Sequence, residues 1–306
     1  MILRIGTRRS KLALAQSEWV RSRIEAKHPH VRVKFVKIKT MGDKIVDAPL
    51  SKIGGKGLFV KEIEEALLRK EIDLAVHSMK DVPAELPEDL TLAVFPERED
   101  PRDAFISIKY KMLKELPRGA SIGTSSLRRS AQLLHMRPDL DIRPLRGNVD
   151  TRLRKLEEGG LHAIILATAG LKRLGFADQI NQLISEKEII PAIGQGALGL
   201  EVRRGDVQTS ELISFMNHEE TEFRVRAERA FLKELEGGCQ VPMAAFCRSN
   251  GKRLYLSGMV AELDGSRMIR DEITGPMERA QELGVALARR LIDAGADHIL
   301  ARIYKK

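Results

Sequence analysis

The sequence predicts an α/β protein in which two doubly wound units flank a hinged cleft and a small α+β domain follows. Three observations predict this. Strand-like and helix-like segments alternate through the first half of the chain. A short motif, Ile5-Gly6-Thr7-Arg8-Arg9-Ser10, returns as Ile122-Gly123-Thr124-Ser125-Ser126-Leu127-Arg128-Arg129-Ser130. From Glu219 the pattern changes to one long helix, three short strands and a closing helix. A length of 306 residues with 43% hydrophobic content suits two domains, or three small ones, each with a packed core.

Taken in order, Leu3–Ile5 is strand-like, Ser10–Lys27 has helical spacing, and Val31–Ile38 alternates β-branched and charged residues, so the chain opens as a βαβ unit. Gly54-Gly55-Lys56-Gly57 precedes a helix near Leu58–Lys70. A strand at Asp73–His77 follows, then a turn through Asp81-Val82-Pro83 and a strand at Leu90–Phe95. Pro96-Glu97-Arg98-Glu99-Asp100-Pro101 reads as a hinge. The second unit starts at the repeated motif and continues with a strand at Asp141–Leu145, a helix after Asn148, a strand at Ala163–Ala167 and a helix near Ala169–Leu174. Ile190-Pro191-Ala192-Ile193-Gly194-Gln195-Gly196 reads as a second crossover, with Ala197–Val202 returning to the first unit. The expected domains are therefore 1–97 with 197–216, 101–191, and 219–306.

The charge is unevenly placed. The chain holds 52 Lys+Arg against 43 Asp+Glu, a net +9; residues 1–60 hold 14 against 4, leaving 38 against 39 in the other 246. A basic first third points to an acidic partner, either nucleic acid or a small polyanion. Aromatic content of 4% and the lack of a zinc-finger, RNP-type or heptad pattern argue against nucleic acid. No apolar run reaches the length of a membrane span, and two cysteines eight positions apart make no disulfide framework, so a reduced, cytoplasmic protein is expected.

Several constellations carry chemistry. Both copies of the repeated motif end a strand and open a helix, where backbone N–H groups and the helix dipole face an anion, and each adds arginines. Helix capping by Ser10, Ser125 or Ser126 with solvated arginines is the plainer alternative. Arg143-Pro144-Leu145-Arg146-Gly147-Asn148-Val149-Asp150-Thr151-Arg152 puts further arginines at a strand end, where doubly wound sheets bind ligands. Asp81, beside Lys80 and just past a buried strand, suits stabilisation of a cation and proton exchange, or simply starts the turn before Pro83. Cys239 lies in Glu236-Gly237-Gly238-Cys239-Gln240-Val241-Pro242, a loop geometry that presents a thiol. No histidine lies between Glu220 and His298, so covalent attachment competes there with turnover chemistry and with plain packing at a helix end. No cysteine/histidine cluster has metal spacing.

Arg8-Arg9-Ser10, Val76 to Pro83, Gly123 to Ser130, Leu145 to Asp150 and Ala227-Glu228-Arg229-Ala230-Phe231-Leu232 leading into the Cys239 loop occur in one order. In that set of strings the chain closely resembles the hydroxymethylbilane synthase, or porphobilinogen deaminase, family. The resemblance implies two domains like type II periplasmic binding proteins and a third carrying the cysteine. It implies stepwise condensation of four porphobilinogen molecules, with loss of ammonia through an azafulvene, onto a dipyrromethane cofactor held by a thioether on Cys239. Hydrolysis then frees linear hydroxymethylbilane. By motif match, Asp81 is the catalytic carboxylate. Lys80, Ser10, Ser78, Thr124, Ser126, Arg128, Arg129 and Arg146 hold the cofactor. Arg8, Arg152 and Arg173, with Lys52 and Lys56 on a mobile loop, hold porphobilinogen and the oligopyrrole intermediates. The resemblance also implies a monomer, and no metal, nucleic acid or membrane. It gives no role to Cys247, read as a core residue on a strand, or to the excess lysines. A solute-binding protein explains the cleft and anion sites but leaves Asp81 and the Cys239 loop without purpose.

Peptide mapping of the purified protein is expected to find a two-pyrrole adduct on Cys239 and a free thiol at Cys247. Cys239→Ser should abolish normal assembly, because a thiolate is the far better nucleophile; an unmodified Cys239 in active protein would refute the attachment.

Overall fold

A computed structural model describes residues 1–44, 57–235 and 241–304. Strand β1 (Ile2–Arg8) leads into helix α1 (Lys11–Lys27), β2 (Arg32–Ile38), the short α2 (Met41–Lys44), α3 (Lys61–Leu68), β3 (Leu74–Ser78) and β4 (Leu90–Val94). The chain then crosses to β5 (Asp103–Ile106), β6 (Ser121–Gly123), α4 (Leu127–Met136), β7 (Asp141–Arg143), α5 (Val149–Glu157), β8 (Ala163–Ala167), α6 (Thr168–Arg173) and β9 (Gln182–Leu183). It crosses back to β10 (Leu198–Arg203) and α7 (Val207–Ile213).

These strands form two five-stranded sheets with one plan. The first runs β2-β1-β3-β10-β4, with β1 parallel to β2 and β3, and β10 antiparallel to both neighbours. The second runs β7-β6-β8-β5-β9, with β6 parallel to β7 and β8, and β5 antiparallel to both neighbours. In each sheet the antiparallel strand is the first one made after a crossover, so each unit's fourth strand arrives from the other unit. Leu74, Ala75, Val76 and His77 of β3 are all buried, as expected of a strand with neighbours on both edges and layers on both faces. Edge strand β2 instead exposes Arg32, Lys34 and Lys37. Lysines on an open edge discourage pairing with another chain, which gives part of the basic excess a structural role.

The third unit packs α8 (Glu219–Glu234) and α9 (Ala280–Leu291) on an antiparallel meander of β11 (Met243–Ser249), β12 (Arg253–Ala261) and β13 (Met268–Pro276). Ala227, Phe231, Leu256, Leu287 and Cys247 share its core. Burial drives the Cys247 thiol up, and Glu228 adds to the rise, so it is an inert packing residue.

Some elements differ from the sequence expectation. Strand β5, just past the Pro96–Pro101 hinge, was not anticipated, and all four of its residues are buried. Strand β9, two residues long, is too short to show a period. Helix α7 was not anticipated, and the last helix does not stop near Ala294: after a break at Gly295 the chain continues as α10 (Asp297–Tyr304).

The three units meet at Glu228. Its carboxylate accepts from Arg98 Nη1 (2.6 Å) and Nη2 (3.1 Å), from the Gly194 N–H (2.7 Å) and from the Cys247 N–H (2.9 Å). Both crossovers and β11 therefore bind one side chain of α8. Arg98 also donates to the Gln195 carbonyl (2.8 Å), and its backbone N–H to Thr221 Oγ1 (3.1 Å). The Arg98 and Glu228 side chains are 2% and 0% exposed, so removing one charge strands the other in a dry site. Glu228→Gln, which keeps shape but not charge, is expected to cost about 3 kcal/mol of stability. Glu282→Gln, in a solvent-exposed pair with Arg279, should leave the melting temperature nearly unchanged. Equal melting temperatures for the two variants would refute the junction's importance.

Candidate active-site cleft

The helix N-termini of the two α/β units face each other. Ser10 caps α1, its Oγ accepting from the Ala13 N–H (3.3 Å), and Ser126 caps α4, accepting from the Arg129 N–H (3.5 Å). Lys11 on the first turn of α1 pairs with Asp150 on the first turn of α5 at 2.7 Å, and α1 packs against α6. Thr124 is buried, with Oγ1 accepting from the Ser126 N–H (3.2 Å), and Ser78 Oγ bonds the Gln16 amide (2.8 Å). The equivalent residues of the repeated motif are thus the capping serines. Its arginines are not equivalent: Arg8 ends a strand, whereas Arg128 and Arg129 lie in a helix's first turn.

Arg128 and Arg129 turn inward onto Asp103, the first residue of β5. Asp103 accepts from Arg128 Nη1 (2.8 Å) and Nη2 (3.3 Å) and from Arg129 Nε (3.0 Å) and Nη2 (2.7 Å). Arg128 also donates to the Ile190 carbonyl (2.7 Å) and Arg129 to that of Ile165 (3.1 Å). Burial alone would raise the Asp103 pKa; the two guanidiniums overcome it and hold the carboxyl far below the usual range. Two cations against one anion leave a surplus positive charge, and the buried Arg128 Nε has no partner. Asp103 is a site residue that sequence reasoning missed.

Lys80 and Asp81 sit on a single 3₁₀ turn, Met79–Asp81, at the end of β3. The Lys80 ammonium is lowered, first by burial, with Arg129 and Arg152 adding to the effect and Asp81 and Asp103 opposing it. Its side chain keeps some solvent-accessible surface, so water tempers that lowering. Arg152 is lowered to about 10 by burial and then by Arg129 and Arg146; its Nε donates to the Gly147 carbonyl (2.8 Å). Among the described residues, Asp81, Lys80 and the Arg146 side chain have no hydrogen-bond or ion-pair partner. Lys80, Asp81, Arg129, Arg146 and Arg152 therefore form one electrostatically coupled group.

Other expected residues lie apart from it. Arg8 is held by Asp43 (2.5 Å) and stacks over Phe59 at 4.2 Å. Burial opposes ionisation of Asp43, but Arg8 and Thr40 together lower its pKa. Arg173 ends α6 and donates to the Gly196 carbonyl of the second crossover (2.8 Å), and burial lowers it to about 10 against the pull of Glu99. Cys239, Lys52 and Lys56 lie outside the described residues.

Cations depressed by burial without enough counter-charge are the electrostatic mark of an anion site. Asp103 is already committed to Arg128 and Arg129, whereas Asp81 has no hydrogen-bond or ion-pair partner among the described residues. Among the described residues no cluster of His, Cys, Asp and Glu is built to hold a metal ion. Fold and site define a two-lobed α/β protein in which a cluster of buried, under-compensated cations surrounds Asp81.

Comparison with known proteins makes this specific. The profile described as "Porphobilinogen deaminase, dipyromethane cofactor binding domain" matches residues 3–211, and "Porphobilinogen deaminase, C-terminal domain" matches residues 222–293. The chain is 57% identical over 304 residues to the porphobilinogen deaminase of Geobacter metallireducens, covering 99% of this chain and 95% of that protein. It is 58% identical over 304 residues to that of Trichlorobacter lovleyi, covering 99% and 97%. The chain belongs to the porphobilinogen deaminase family. Two solved structures that the chain resembles are more distant from it. The methionine-binding protein MetQ has a TM-score of 0.46 at 15% identity, over 70% of this chain and 89% of that one. A nutrient-binding protein from Burkholderia cenocepacia has a TM-score of 0.43 at 15% identity, over 69% and 90%.

The pairing pattern separates two kinds of arginine. Arg128→Leu strips buried Asp103 of two of its four charged hydrogen bonds and should lower the melting temperature by several degrees, consistent with a cost of about 2–4 kcal/mol. Arg146→Leu removes a cation whose side chain has no partner among the described residues and should leave that temperature almost unchanged. Thermal unfolding of both variants decides; equal shifts would refute the distinction.

Proposed function

We propose that this protein is a hydroxymethylbilane synthase: it condenses four porphobilinogen molecules, with loss of ammonia, onto a dipyrromethane primer and releases linear hydroxymethylbilane by hydrolysis, as a step of tetrapyrrole biosynthesis. Family membership supports the reaction. The observation that carries the site reading is Asp81, a carboxylate without a hydrogen-bond or ion-pair partner among the described residues, set beside Lys80 and near Arg129 and Arg152.

The cleft's residues fit a primer and substrate that bear acetate and propionate groups. Lys80 and Arg146 have free donors, and Arg128 and Arg129 keep N–H groups beyond those given to Asp103. These would hold the dipyrromethane, with Ser10, Ser78, Thr124 and Ser126 at its margins. Attached through the Cys239 thiol, it supplies a nucleophilic pyrrole carbon. Arg152, Arg173 and Arg8, with Lys52 and Lys56, would take the carboxylates of incoming porphobilinogen and the growing chain. Each charged hydrogen bond is worth about 1.5–3 kcal/mol where water is excluded, and each carboxylate bound relieves the repulsion among the cations.

Asp81 supplies the opposite charge. When ammonia leaves porphobilinogen the remaining pyrrole becomes cationic, and a fixed carboxylate with Lys80 beside it can accept the pyrrole N–H and stabilise that charge. It can also receive the proton lost when the new carbon–carbon bond restores aromaticity. The reading includes a monomer working in the cytoplasm without nucleic acid. Among the described residues no helix is long and apolar enough to cross a membrane.

Asp81→Asn keeps size and removes charge. Single-turnover ammonia release from cofactor-loaded enzyme should fall by roughly two to four orders of magnitude, each tenfold step being about 1.36 kcal/mol of lost transition-state stabilisation. Asp81→Glu should retain more activity, and the melting temperature should hardly change for either. Near-normal release by folded Asp81→Asn would leave the residue with only a turn-forming role.

A further inference from the structure

We propose that Arg229, on α8 of the third unit, is a positioning residue that fixes the turn carrying Asp81. The inference rests on the catalytic reading of Asp81. The turn is gripped on both sides. Upstream, the Met79 N–H donates to the Ala197 carbonyl (3.0 Å), and His77 Nε2 lies 2.9 Å from Glu201 Oε2, both side chains buried. Gly194, at φ +70°, lies so close that a Cβ there would stand 2.7 Å from Met79 Cβ and 3.2 Å from the Lys80 nitrogen. The second crossover thus presses directly on the backbone leading into Asp81.

Downstream, the carbonyls of Val82 and Ala84 accept from Arg229 Nη1 (3.4 Å) and Nη2 (3.0 Å). Among the described residues no other donor reaches either oxygen. Pro83 between them has no N–H to contribute to a local turn. Val82 packs in one cluster with Met79 and with Val225, one turn before Arg229 on α8, so the helix seats the turn by both packing and hydrogen bonds. Arg229 is deeply placed, lowered to about 10 by burial while Glu201 opposes the fall. Glu201 therefore faces both grips: His77 ahead of Asp81 and Arg229 behind it. With both Nη groups on backbone carbonyls, Arg229 is oriented toward the turn and not toward a ligand carboxylate. Helix α8 also leads straight into residues 236–240, so the element that places Asp81 is the one preceding the Cys239 segment.

The test uses cofactor-loaded enzyme with Arg229→Gln, Arg229→Lys, Asp81→Asn and the Arg229→Gln/Asp81→Asn double variant. Displacing a catalytic group by about 1 Å can cost on the order of 10²-fold, so Arg229→Gln should lower kcat by about 10- to 100-fold with KM within about threefold. Arg229→Lys, keeping the charge and a donor, should recover part of the loss. In the Asp81→Asn background Arg229→Gln should add almost nothing, because both changes disable the same group. The proposal is overturned by folded Arg229→Gln with kcat within about twofold of the parent, by a raised KM at unchanged kcat, or by a full further loss in the Asp81→Asn background. If Arg229→Gln does not fold, Arg229→Lys with its own double variant carries the same comparison. Inactive Asp81→Asn beside fully active Arg229→Gln defeats this inference alone; active Asp81→Asn defeats the reading beneath it as well.

Discussion

A buried carboxylate cannot stay charged without partners, and at Glu228 those partners come from every part of the chain. Arg98 belongs to the first crossover, Gly194 to the second and Cys247 to a strand of the third unit. Gln195 extends the network: its side-chain amide donates to the Pro101 carbonyl (2.6 Å) and to Asp103 (2.9 Å), and Asp103 holds Arg128 and Arg129. A continuous polar path thus runs from the core of the third unit through both crossovers to the first turn of α4. Separating its members would leave charges unpaired in a dry interior.

The cleft inverts that logic. The interior network balances its charges apart from one surplus cation at Asp103, whereas Lys80, Arg146 and Arg152 have no ion-pair partner among the described residues, and burial depresses Lys80 and Arg152. An anionic ligand would offset that cost, as the proposed function requires. Surface cations differ again. Those on β2 stand in water on a sheet edge, where charge keeps the strand from pairing. One net charge of +9 therefore divides into network, cleft and edge populations with separate physical roles.

Local features were legible because their causes are local. The capping serines were named among the candidate caps from the sequence, since an N-cap acts on a backbone N–H three residues on. The strand–helix alternation follows from side-chain periodicity. The place of Cys247 in a buried strand was readable from its apolar neighbours. By contrast, Asp103 was not singled out, and Arg229 entered only within the string Ala227–Leu232, because the partners of both lie far away in the chain.

By itself, then, the sequence determined the order of elements, the repeated strand–turn–helix motif and the family, since these depend on neighbours in the chain and on long motif strings. Only the tertiary structure decided which charges neutralise one another. Arg128 meets Asp103 across 25 positions, Gln195 meets Asp103 across 92 and Arg98 meets Glu228 across 130, separations at which residue spacing carries no information about contact. A side chain's charge acts according to the partners within a few ångströms and the water excluded around it, and folding alone sets both.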